Sequence, residues 1–166
     1  MKSMNFNNSI DKYDPISGYY FKSISKEVEA SRFSKSNDVK TTNIGVLDPQ
    51  TNKITTIFPA SEDLKIGQVI FEIGYDKTLS AIKFNDNSYF IRNNKGIEKR
   101  KVNNSLLITT MNENSYTLWK AEKNGTNLKK LAVVSEKSNW HIDVKNSLVR
   151  IISSEEGTLI IENYDW

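Results

Sequence analysis

Apolar residues recur at every second position over short runs of this chain, and clusters rich in Asn, Asp, Lys and Gly interrupt the runs. A period of two marks a strand with one covered face. Tyr19 to Ile24 is the first such run. Thr42 to Leu47 and Lys53 to Phe58 follow as a hairpin about Asp48-Pro49-Gln50-Thr51-Asn52. Gln68 to Gly74, Leu79 to Phe84, Ser88 to Arg92 and Ile97 to Val102 continue the series, then residues 105–111 and 115–121. Leu128 to Val134, Trp140 to Val144, Leu148 to Ser153 and Thr158 to Asn163 complete it. About thirteen short strands result, and no stretch holds helical periodicity over three turns. The pattern predicts an all-β, antiparallel meander of short strands.

The turns carry their own chemistry. Asp14-Pro15-Ile16-Ser17-Gly18 reads as a turn because Asp bonds its own backbone and Gly accepts positive φ. Asn93-Asn94-Lys95-Gly96 is a hairpin signal of the same kind. The nearly all-charged run Ile97 to Val102 is expected at a sheet edge, where charge discourages pairing with strangers. Residues 25–40 read as a long polar loop, and residues 1–14 as an N-terminal arm on a single domain spanning 1–166. The last strand, with the apolar run Leu159-Ile160-Ile161, is expected to pair within a sheet and to close against Tyr19 to Ile24.

Composition narrows the chemistry. The 166 residues contain no cysteine and one histidine, so disulfides and thiolate metal sites are excluded. No cofactor or metal site is expected. Basic residues number 23 and acidic residues 20, interspersed, for a net charge of +3. That balance demands no polyanionic partner. No apolar run has the length of a membrane span, and the first residues lack the apolar core of a signal peptide. As a full-length chain this sequence is expected in the cytoplasm.

Two stretches share a grammar. NIGVLDPQTNKITTIFP at 43–59 and YTLWKAEKNGTNLKKLAVV at 116–134 each read as strand, polar turn, then strand, leaving through a polar linker. With the hairpin from Trp140 to Ile151 they resemble the blades of TolB-like β-propellers, although the usual Ser-Pro-Asp-Gly turn of that family is absent. The resemblance implies a propeller-like arrangement of three to four blades, or an open arc that pairs with a second copy of itself. A blade takes about forty residues. A β-sandwich or a barrel is the alternative architecture.

Catalytic constellations are thin. His141 shares a strand face with Asp143, but a His-Asp-Ser triad would need Asp143 placed elsewhere, and packing beside Trp140 at a sheet rim is the ordinary role for such a histidine. Glu155-Glu156, Glu62-Asp63 and Glu27 with Glu29 are carboxylate pairs in turns or loops, where solvation explains them. Lys95, Lys99, Arg100 and Lys101 near Tyr89 and Phe90 mimic a nucleic-acid patch. Glu98 interrupts that run and strand alternation splits it, so nucleic-acid binding is not expected. Aromatic residues in turns and at the end of the chain are better candidates for contact: Tyr75, Trp119, Trp140, Tyr164 and Trp166, with His141. The leading expectation is a module that binds a protein partner or itself. A carbohydrate-binding or carboxylate-based glycan-acting protein is the alternative, with Trp119 or Trp140 stacking on a sugar.

Overall fold

The computed structural model describes residues 12–27, 39–60, 62–86 and 99–166. Strand β1 (Lys12–Tyr13) leads into the turn at Asp14, whose carboxylate accepts from the Ile16 amide and the Ser17 hydroxyl. Gly18 closes the turn at φ +78°, a conformation that disfavours any side chain. Strand β2 (Tyr20–Glu27) then pairs with β3 (Val39–Asp48), and β3 with β4 (Lys53–Thr56). These four strands form an N-terminal antiparallel sheet in the order β1-β2-β3-β4.

The next strands are β5 (Ile66–Ile70), β6 (Glu72–Asp76), β7 (Ala81–Phe84), β8 (Ser105–Met111), β9 (Ser115–Glu122) and β10 (Lys129–Ser135). A central sheet has the order β10-β9-β8-β5, and β6 and β7 make a separate hairpin. Strands β11 (Asn139–Asp143), β12 (Leu148–Glu155) and β13 (Thr158–Asp165) form the C-terminal sheet in chain order. Every strand pair is antiparallel. The fold is all-β, no α-helix occurs among the described residues, and no sheet closes into a barrel.

Two cores lie on opposite faces of the central sheet. Phe21, Ile44 and Val46 from the N-terminal sheet, with Ile57 and Phe58 just after β4, pack with Val69, Leu106 and Ile108. On the other face Leu107, Leu118 and Val134 pack with Ile82 and Phe84 of the hairpin and with Ile142, Val149 and Ile151 of the C-terminal sheet. The central strand β8 is therefore buried from Ser105 to Thr110, which explains an apolar run without polar alternation. Thr109 and Thr110 are tolerated because their hydroxyls accept from the Gln68 amide and the Trp119 indole.

Several expectations need correction. Residues 12 and 13 of the expected arm are a strand, and residues 1–11 lie outside the described residues. The expected loop 25–40 is strand at both ends, because the β2–β3 ladder continues beyond a bulge at Ile24/Ser25. Backbone pairing needs no apolar side chain there. The expected strand 68–74 is broken at Phe71, and its halves belong to β5 and β6 in different sheets. The Asn85 side chain makes the break: it accepts from the Phe71 amide and donates to the Val69 carbonyl, replacing a ladder. Lys99 to Val102 is not a strand, and Arg100 turns inward to an ion pair with Glu72 rather than guarding an edge. The strand expected at 88–92, like Ile97 and Glu98, falls outside the described residues. Finally, among the described residues β13 pairs with β12 alone, and not with β2.

Candidate functional site

Ionised groups buried in a small domain are the first place to look for chemistry, because unpaired burial is expensive. Asp14, Glu72 and Lys123 are all buried. Lys123 comes from the β9–β10 turn and its Nζ lies 2.8 Å from Asp14 Oδ2 and 2.8 Å from the Glu72 carbonyl oxygen. It also sits over the Phe71 ring, 5.3 Å from the centroid. Burial raises the Asp14 pKa, but hydrogen bonds from Lys123, Ser17 and the Ile16 amide outweigh it and hold the group below its ordinary value. The Glu72 carboxylate accepts from Arg100 and the Trp166 indole on Oε1, and from the Asn103 amide on Oε2. This network joins the first turn, the start of β6, the approach to β8, the β9–β10 turn and the last residue. Its acids have donors on both oxygens or on a neighbouring ammonium and have no opening to solvent. It can lock these segments together, but it cannot receive a substrate.

A second polar cluster lies on the outer face of the C-terminal sheet. Arg150 Nε and Nη2 both reach Asp143 Oδ2, at 3.0 and 2.9 Å, and Nη1 donates to Asn163 Oδ1. Asn146 donates to Asp143 through its amide and its side chain. The Asn146 side-chain bond leads in lowering the Asp143 pKa to about 2, burial opposes it, and the Asn146 amide and Arg150 add to the lowering. His141 stands opposite Arg150 in the ladder and shares that face with Asp143. Asp143 spends its carboxylate on Asn146 and Arg150, so the pair lacks the geometry of a base and its orienting acid. No group of three or more His, Asp and Glu able to hold a metal exists among the described residues.

The aromatic candidates divide between the two cores. Trp119 packs against the first, edge-on to Phe58 at 5.3 Å, with its indole N–H on Thr110 Oγ1 at 2.9 Å. Tyr75, Trp140 and Tyr164 pack around the second while staying half-buried. Burial raises the Tyr116 pKa, and the neighbouring Trp140 side chain acts against that rise. Trp166 is 6% exposed and tied to Glu72. It is a core residue, not a contact surface, because the end of the chain folds back over Phe84. The structure thus gathers four of the six candidates about one core and leaves His141 on the open face.

That open face is the least covered surface of the C-terminal sheet. Register places Leu159 and Ile161 on the side opposite the core, aligned with Ser154 and Ile152 of β12. Leu159 is 70% and Ile161 55% exposed. Strand β13 is an edge eight residues long, and its first four residues carry no charge. Ile160 between them faces the core side.

Comparison with known proteins found no matching family model, curated protein or solved structure. The site must be read from its own geometry.

Leu159 and Ile161 were visible in the sequence as part of a three-residue apolar run. Side chains in a strand alternate, so one covered face cannot bury three in succession. The run marks a strand that pairs within its sheet, and it also places two apolar residues on the bare face. Among the carboxylate pairs, Glu155 ends β12 and Glu156 lies in the β12–β13 turn, where both line an open depression with Thr158 and Ile160, and Asp63 pairs with Lys40 at 2.8 Å. The side chain of Glu27 and all of Glu29 lie outside what is described, as do Lys95, Tyr89 and Phe90.

Proposed function

We propose that this chain is a protein-interaction module: an open arc of propeller-like blades that takes a protein partner on the bare face and free edge of its C-terminal sheet. The observation that carries the reading is the exposure of Leu159 and Ile161 on an eight-residue edge strand. An edge strand offers a row of unpaired N–H and C=O groups, and natural proteins usually shield such rows with charge or cover. Here the first half of the edge has apolar side chains instead, which suits addition of a partner strand with pockets for alternate residues. The successive packing of three sheets, with one outer face left bare at the end, supports the arc. Glycan recognition draws less support, since the Trp119 indole is engaged with Phe58 and Thr110 and Trp140 packs half-buried against the second core.

The test is a paired variant, Leu159→Lys with Ile161→Lys. Both side chains are solvent-facing, so the melting temperature is expected to change little. Proximity labelling in the source cells with wild type and variant, together with sedimentation velocity of each, reads the interaction. A protein labelled by the wild type and lost in the variant, or a wild-type dimer that the variant dissociates, supports the module. A strict monomer whose labelling pattern is unaffected by the variant rejects it.

A further inference from the structure

We propose that Lys120 and Lys129 form a carboxylate-binding site in the cleft between the central and C-terminal sheets. The two lysines are direct cross-strand partners in the β9–β10 ladder. Like charges placed opposite each other in a sheet work against its stability. Lys120 also pairs with Leu107 of β8, which belongs to the second core, so both stems leave on the side of the C-terminal sheet. There a depression of about 290 Å³ is lined by Lys120, Lys129, Leu131, Asn163, Tyr164 and Asp165.

Three features make this more than two surface lysines. Lys120 is half-buried and spends one N–H on the Asp165 carbonyl, at 2.9 Å, which fixes its head at the cleft and leaves two donors. Lys129 is exposed and has no ion-pair partner among the described residues. Burial lowers the Lys120 pKa, Asp165 pulls it back up, and the neighbouring charge of Lys129 lowers it again. An anion between the two ammonium groups relieves both the burial and the repulsion.

Charge selects the kind of anion. Two lysines and Asp165 leave the lining with a single excess positive charge, which one carboxylate balances and a doubly charged phosphate exceeds. Leu131 and the half-buried Tyr164 supply an apolar wall for the carbon chain that carries it. The carboxylate can belong to a free small acid or to a Glu or Asp side chain of a polypeptide; the recognition chemistry is the same.

The test is an amide-resolved nuclear magnetic resonance titration of the full chain with sodium butyrate at constant ionic strength. Parallel titrations use sodium chloride, inorganic phosphate and the peptide acetyl-Gly-Glu-Gly-amide. Saturable shifts are expected at residues 120, 129, 131 and 163–165 with butyrate or the peptide. Affinity is expected to fall at least tenfold in Lys129→Met and to be kept in Lys129→Arg. The tighter of butyrate and peptide names the source of the carboxylate. Shifts that never saturate, that chloride reproduces, or that survive in Lys129→Met overturn the site, and tighter binding of phosphate than of either carboxylate overturns its class. The Leu159→Lys, Ile161→Lys variant leaves this cleft intact, so the outcome is independent of the module reading.

Discussion

Lys123 occupies a turn, where a lysine ordinarily extends into water, yet only 2% of it is exposed. No local signal in Glu122-Lys123-Asn124-Gly125 reveals this, because the partners that draw it inward are Asp14 and the carbonyl of Glu72, far away in sequence. Removing one member of a buried pair strands the other, which typically costs about 3–5 kcal/mol. Lys123→Met is therefore expected to lower unfolding stability by roughly 3 kcal/mol in urea titration. Asp14→Asn combined with Lys123→Met is expected to cost clearly less than the two single losses added together. A loss below about 1 kcal/mol for Lys123→Met would show that the pair is solvated. The Asp143 carboxyl gives a pH dependence. Its pKa is held at about 2, chiefly by Asn146 and then by Arg150. An unfolded Asp titrates at about 3.9. The unfolded chain thus takes up this proton first, so the contribution is full above about pH 4 and is lost as pH falls through 2. The lowered Asp14 pKa adds in the same direction. Melting temperatures between pH 5 and 2 are expected to fall less steeply in Asp143→Asn than in wild type, and equal slopes would remove the assignment.

Strands with polar turns on both sides were legible, since the alternation is local and turn residues declare themselves. β8 has the expected bounds, and the Asp14–Gly18 and Asp48–Asn52 turns form as their side-chain hydrogen bonds suggest. The failures share a cause. Val69-Ile70-Phe71-Glu72-Ile73-Gly74 reads as one strand, because nothing within it marks a change of sheet. The change is imposed by Asn85, fourteen residues from Phe71. Likewise Ile97 to Val102 reads as a charged edge because Glu72, the partner of Arg100, lies far away in sequence. Asn85→Ala leaves the Phe71 N–H without its acceptor and the Val69 carbonyl without its donor. A buried polar group left unmet costs about 1–3 kcal/mol, so a loss of roughly 2 kcal/mol is expected. Amide hydrogen exchange at Phe71 and Val69 is expected to accelerate more than exchange in β12. Unchanged exchange at Phe71 would show that the crossing is held by packing alone.

At the scale of the whole molecule, the end of the chain has a role that its position alone did not disclose. The apolar run Leu159-Ile160-Ile161 pairs within a sheet as expected, but its anchor is not a closing strand against β2. Trp166 reaches across the second core, covers Phe84 and bonds Glu72, whose other partners come from the approach to β8. The Trp166 amide also donates to the Ser147 carbonyl, fixing the end of β13 to the β11–β12 turn. The C-terminal sheet and the central sheet are thus joined by one core and one polar junction, both of which depend on the last residue. Trp166→Phe keeps most of the ring but leaves Glu72 without one donor, and a loss of about 1–2 kcal/mol is expected. Trp166→Ala adds a cavity, for a loss of roughly 3–5 kcal/mol. Deleting residues 158–166 removes β13, uncovers β12 and withdraws the indole from Glu72. That deletion is expected to abolish cooperative melting followed by near-ultraviolet circular dichroism. A truncated chain that still melts cooperatively at the wild-type temperature would mean that the first core, between the N-terminal and central sheets, folds without the C-terminal sheet. In that case the bare face of β13 would be an appendage of the fold, and its two exposed apolar residues would bear on recognition alone.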